Sequence, residues 1–111
     1  MFENQIKSGR IVRGMNFDQK VWAVTARIPT GRVSTYGEIA RKLGTRAYQA
    51  VGRALGRNPY APAVPCHRVV GSNGRLTGFS RGLAAKRRML WAEGITVRAG
   101  RVALEQHHVP L

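Results

Sequence analysis

The chain has 111 residues, enough for one domain with a modest core. Nineteen Lys and Arg stand against five Asp and Glu, a formal net charge of +14 with arginine far outnumbering lysine, and that balance points to a polyanionic partner, most simply nucleic acid. No apolar run nears the roughly 20 residues a membrane span needs, the polar start lacks the apolar centre of a secretory signal, and one cysteine cannot form an internal disulfide. A cytoplasmic protein is expected, nucleoid-associated in a prokaryote.

Residues 1–15, "MFENQIKSGRIVRGM", are polar, basic and without a clean period, and are read as a flexible arm preceding a folded domain at 16–111. "NFDQKVWAVTARIP" spaces Phe17, Val21, Val24 and Ile28 as one helical face, with Asn16 as N-cap and Pro29 closing it. "STYGEIARKLG" predicts a second helix, capped by Ser34 or Thr35 and stopped by Gly44. A short break leads to "YQAVGRALGRNP", where Val51 and Leu55 lie four apart and Arg46, Gln49, Arg53 and Arg57 take other positions. Two short helices joined by a glycine-containing turn form a helix-turn-helix pattern, the second helix being the reader.

"NPYAPAVP" (58–65) holds three prolines and reads as an ordered loop. "HRVVGSNGRL" predicts a short buried segment and a turn; "LAAKRRMLWAEGI" returns to helical spacing; "ITVRAGRVAL" alternates as a small hairpin. The remaining tail, with His107 and His108, is expected to fray. The fold class is therefore mainly α with a small amount of β, a winged-helix-like domain containing the helix-turn-helix.

Cys66 stands between Pro65 and His67 in "PAVPCHRVV". A thiol becomes a nucleophile when held as thiolate beside a base or cation. Neighbouring side chains diverge, so a bridging water is expected between Cys66 and His67, with a carboxylate orienting the imidazole. Glu93, in "MLWAEGI", is one of few acids available; spacing alone leaves open whether it has that partner or is simply solvated. Cys66 with His67, His107 and His108 makes no recognised ligand spacing, so no metal is expected.

"PCHRV" (65–69), preceded by "VGRALGRNP" (51–59) and followed by "GSNGRLTGFSRGLAAKRRMLWAEG" (71–94), resembles the DNA-binding domain of the alkylguanine-DNA alkyltransferases, the methylated-DNA–protein-cysteine methyltransferases. The resemblance runs from about Phe17 to Ile95, without the ribonuclease-H-like N-terminal domain of many members. It implies a single-turnover DNA-repair enzyme in which Cys66 takes the O6-alkyl group from a guanine flipped out of duplex DNA. His67 would remove the thiol proton through a water and Glu93 would orient His67. Asn58 would support the thiol loop, and Tyr36 would turn the phosphate and help protonate the leaving guanine. Val69 and Ser80 would line the pocket, shaped by Pro59 and Phe79. Ala47, Ala50, Gly52 and Ala54 would let the reading helix approach the minor groove, with DNA contacts from Thr35, Arg46, Gln49, Arg53 and Arg57. The implied partner is double-stranded DNA containing O6-alkylguanine, met by a monomer without membrane, metal or cofactor.

Gln49 stands where the family carries an arginine that fills the gap left by the flipped base; Arg46 and Arg53 lie one turn to either side. Arg81 occupies a position where glycine is common. The nearest alternative is a non-catalytic alkyltransferase-like protein that binds alkylguanine DNA and signals to other repair machinery, but such proteins usually replace the cysteine with tryptophan. A helix-turn-helix regulator with a structural cysteine leaves Pro65, His67 and Asn58 unexplained. A cysteine hydrolase has no other mark in the chain.

Overall fold

The computed structural model describes residues 1–79 and 81–111; Ser80, expected in the pocket wall, lies outside them. The chain runs α1 (Glu3–Lys7), α2 (Phe17–Thr25), β1 (Ser34–Thr35), α3 (Tyr36–Lys42), α4 (Tyr48–Gly56), a 3-10 turn (Cys66–Arg68), β2 (Val69–Val70), α5 (Leu83–Ala92), β3 (Val97–Arg98), β4 (Arg101–Val102) and α6 (Leu104–His107). It is mainly helical, with two short two-stranded sheets.

The helix signals act where they stand in the sequence. At α2 the Asn16 side chain accepts from the Gln19 amide at 2.8 Å while the Gln19 side chain accepts from the Asn16 amide at 2.9 Å, a reciprocal cap. α2 ends at Thr25, and tightened turn bonds carry the chain to Ile28 before Pro29. Of the two candidate caps for α3, Thr35 is the one used, its hydroxyl accepting from the Glu38 amide at 3.1 Å. Gly44 stops that helix at φ +71°, a conformation that favours glycine. α3 and α4 form the helix-turn-helix, and α2 packs across their back. Val21, Val24, Ile28, Ile39, Val51, Ala54, Leu55 and Val69 make the first core cluster. The Trp22 indole donates to the Ala54 carbonyl at 2.7 Å, tying α2 to the rear of the reading helix.

A second cluster, with Val33, Val70, Leu76, Leu90, Ile95, Val97 and Val102, lies under the hairpin and α5. Parallel pairing sets Ser34 opposite Val69 and Thr35 opposite Val70; antiparallel pairing sets Val97 opposite Val102 and Arg98 opposite Arg101. Arg75 pairs with Arg101 in an isolated antiparallel bridge at the free edge of β4. Gly74 permits that approach: a Cβ there would stand 2.2 Å from the Val102 carbonyl oxygen.

Two expectations change. The tail does not fray, because buried Val33 needs backbone partners and the tail supplies them: the Val33 amide donates to the His107 carbonyl (2.9 Å) and the Val109 amide to the Val33 carbonyl (3.0 Å). The Leu111 amide then donates to the Glu38 carboxylate at 3.2 Å. Residues 1–15 are docked rather than loose. Ile6 on α1 is fully buried with Met15 and Val64, beside Phe2, Trp22 and Tyr60. The Arg27 side chain donates to the Gly9 carbonyl at 2.9 Å. One apolar residue per turn suffices here, because Val64 and Tyr60 offer a ready surface. Among the described residues no helix is long and apolar enough to cross a membrane.

Ile6→Ala is expected to destabilise the protein by about 2–4 kcal/mol in urea unfolding, the usual cost of truncating a buried isoleucine. An unchanged midpoint would mean that the segment is not part of the cooperative fold.

Candidate active site

The thiol sits on a short turn whose approach is braced from one side chain. Asn58 donates to the Val64 carbonyl (2.8 Å) and accepts from the Tyr60 amide (2.9 Å), so it spans the proline-rich loop and fixes the peptide leading into Pro65. The Cys66 amide donates to the same Val64 carbonyl at 2.9 Å. Cys66 is a half-buried free thiol packed on the first core cluster, as is Tyr36.

His67 turns inward and is buried. Its Nε2 lies 2.8 Å from Glu93 Oε2, which settles what spacing left open. Glu93 directly follows the last turn of α5. Arg68 grips the same carboxylate twice, Nε to Oε1 and Nη2 to Oε2, both at 2.8 Å. The rest of its guanidinium donates to the Ile28 carbonyl (2.8 Å) and to Thr30 Oγ1 (3.0 Å). Burial by itself would raise the Glu93 pKa, but the bonds and charges of Arg68 and His67 outweigh it and bring it down to about 2. Burial lowers the His67 pKa, with the Glu93 bond and charge pulling the other way. Near neutrality the pair is therefore a carboxylate facing a neutral imidazole. Since an ionised carboxylate can only accept, Nε2 carries the hydrogen and Nδ1 keeps its lone pair.

A second group of residues meets at the Thr77 carbonyl. The Tyr36 hydroxyl donates to the Thr77 carbonyl at 3.0 Å, and burial raises its pKa, so it keeps its proton. Lys86 on α5 is fully buried, donates to the same carbonyl at 2.8 Å, and stands 5.9 Å from the ring centres of both Tyr36 and Phe79. Burial brings its pKa down to about 8, with the charge of the Cys66 sulfur pulling the other way. Neither Arg68 nor Lys86 was singled out from the sequence. Lys86 had a signal: it precedes buried Leu90 by four residues and so shares its face of α5. Arg68 had none, because its partners are distant in the chain.

The remaining expected residues divide. Arg46, Ala47, Gln49, Ala50 and Arg53 border one exposed hollow on α4. Gln49, Gly52 and Arg53 also line a groove closed by Tyr36, Thr77 and Gly78. Val69, expected as pocket lining, is fully buried in the first cluster, and Pro59 is exposed on the loop. Thr35 spends its hydroxyl as the α3 cap. Arg57, expected on the DNA side, is instead held by Asp18 in two hydrogen bonds of 2.7 and 3.0 Å.

Residues 16–95 match the family described as 6-O-methylguanine DNA methyltransferase, DNA binding domain. The methylated-DNA–protein-cysteine methyltransferase of Methanosarcina mazei is 49% identical over 82 residues, covering 73% of this chain and 52% of that one. Its namesake in Mycobacterium tuberculosis is 48% identical over 83 residues, 74% of this chain and 50% of that one. The chain thus spans about half the length of the curated relatives it matches. Among solved structures, M. tuberculosis OGT in complex with DNA overlays with a TM-score of 0.68 at 42% identity, covering 81% of this chain and 62% of that one. S. pombe Atl1 in complex with damaged DNA containing O6-carboxymethylguanine overlays with a TM-score of 0.75 at 32% identity, covering 86% and 95%.

The Glu93 carboxyl is held below its ordinary 4.5, so its contribution to stability is complete above about pH 4.5 and fades as the pH falls toward 2. Glu93→Gln is expected to cost about 1–3 kcal/mol at pH 7, and the gap to the parent protein in urea titrations should narrow steadily between pH 4.5 and 2. A gap that does not change with pH would rule out the ion cluster as its source.

Proposed function

The chain belongs to the 6-O-methylguanine DNA methyltransferase family, and on that footing we propose that it repairs duplex DNA by direct reversal, moving the O6-alkyl group of guanine irreversibly onto Cys66. The observation that carries this reading is the single thiol followed by an imidazole whose far nitrogen is fixed by an ionised carboxylate at 2.8 Å.

In this reading the damaged nucleotide is turned out of the duplex, because its O6 substituent is out of a thiol's reach inside the stack. Small residues at the start of α4 and along it (Ala47, Ala50, Gly52) bring backbone close to the minor groove, while Arg46 and Arg53 meet phosphates and Gln49 borders the vacated position. The thiol gives up its proton toward His67 Nδ1, the nitrogen Glu93 leaves free. The sulfur then attacks the alkyl carbon in line: an S–C bond forms, the C–O6 bond breaks, and the electron pair stays on O6. Guanine takes up a proton from the Tyr36 hydroxyl, and solvent restores the phenol as His67 releases the proton it took from the thiol. The net result exchanges one alkyl group for one proton. Lys86 offers the sulfur a buried positive neighbour during this charge transfer. A thioether is not undone by water, so each molecule acts once, as a monomer and without a cofactor.

A second reading has one observation in its favour. S. pombe Atl1 in complex with damaged DNA overlays this chain with a TM-score of 0.75, against 0.68 for M. tuberculosis OGT in complex with DNA. A non-catalytic binder of alkylguanine DNA would share the fold and the groove. Cys66 and its ordered His67–Glu93 pair favour transfer.

Incubation with duplex DNA carrying O6-methylguanine is expected to add the mass of one methylene to the intact protein, located on the Cys66 peptide. Binding without that gain would favour the second reading. Cys66→Ala should retain DNA affinity and lose transfer; loss of both would make the thiol structural. His67→Ala should slow transfer at neutral pH, with partial recovery in alkali as thiolate accumulates.

A further inference from the structure

The chemistry above leaves the β3–β4 hairpin without a task, yet its outer face is distinctive. Arg98 and Arg101 are direct cross-strand partners, and Arg75 is the partner of Arg101 on its other side. Partners across a ladder point to the same face, so the three side chains form one row. The alternate residues Leu76, Val97 and Val102 are buried in the second core cluster, while all three arginines are exposed. Like charges placed directly opposite one another weaken a sheet. Among the described residues none of the three takes part in an ion pair. The fold therefore carries a repulsion that an outside anion would relieve.

We infer that Arg75, Arg101 and Arg98 are a phosphate-binding ladder, a second contact with the nucleic-acid backbone beside the candidate active site. Their neighbouring Cβ atoms lie about 4.5–5.5 Å apart, close enough for flexible guanidinium forks to take adjacent phosphates. Arg75 stands two residues before Thr77, whose carbonyl holds Tyr36 and Lys86. A stretch of two residues spans at most about 7 Å, so the row adjoins the groove between Thr77 and α4. The ladder thus extends the phosphate track away from the reading helix. This inference rests on duplex DNA being the partner.

The test uses the full chain and an undamaged duplex across 50–200 mM salt. Each phosphate contact contributes a slope of about −0.9 to log affinity against log salt. The triple variant Arg75→Gln, Arg98→Gln, Arg101→Gln should therefore show a slope shallower by roughly 2.7, with weaker binding at every salt. Lysine at all three positions should restore the slope, and alkyl transfer from a free O6-alkylguanine base should be unchanged. A glutamine variant with the parent slope, while Arg53→Gln weakens binding, overturns the ladder and leaves the proposed function standing. Absence of salt-dependent duplex binding by the parent protein itself overturns both.

Discussion

The Glu93 carboxylate is where three remote parts of the chain are joined by charge. It lies at the end of α5, receives the Cys66–Arg68 turn through His67 and Arg68, and through Arg68 reaches Ile28 and Thr30 after α2. Arginine suits the junction because one planar fork satisfies a carboxylate, a backbone carbonyl and a hydroxyl together. The imidazole then meets a carboxylate already balanced by a full positive charge. That arrangement keeps Glu93 ionised while leaving His67 neutral enough to act as a base. Loss of Arg68 would thus disturb the thiol's neighbour without touching the thiol.

Charge is distributed unevenly between inside and outside. Of the few acids, Glu38 is taken by Arg41 and the tail amide, Asp18 by Arg57, Glu3 by Lys7, and Glu93 by the site. These four acids thus serve architecture, and a large positive excess stays exposed, spread over α3, α4, α5 and the hairpin. One cation goes the other way: Lys86 is wholly buried, held by a carbonyl and two ring faces. Burying an ammonium is costly unless it is hydrogen-bonded and faces negative density. The Thr77 carbonyl and the rings of Tyr36 and Phe79 supply that compensation.

Much of this was legible in the sequence because it is local. Asn16, Thr35 and Gly44 cap or stop helices through neighbours within four residues, and the apolar spacing of Val21, Val24, Val51 and Leu55 names the buried face. Cys66 beside His67 is visible in the sequence itself, while the supporting role of Asn58, displayed as two hydrogen bonds, came with the resemblance. What the sequence hid is pairing across distance. The partner of Glu93 lies 26 residues away, and the tail is held by backbone bonds to Val33 that no side-chain pattern announces. Ile6 is one apolar residue in a polar stretch, so its burial depends on a surface presented by Val64. Arg57 looked like part of the basic face, and only the three-dimensional structure brings Asp18 beneath it.

The indole of Trp22 has a consequence for how a bent partner would arise. Its hydrogen bond to the Ala54 carbonyl clamps the last turn of α4 from behind, and Val51 and Leu55 wedge the same helix into the core. A helix fastened this way has little room to slide, roll or bow. Any mismatch of curvature between it and a double helix would fall on the softer body, and the energy of unstacking would be drawn from base steps rather than from the protein. With duplex DNA as the proposed partner, sites whose sequence yields easily would then be engaged in preference to stiff ones.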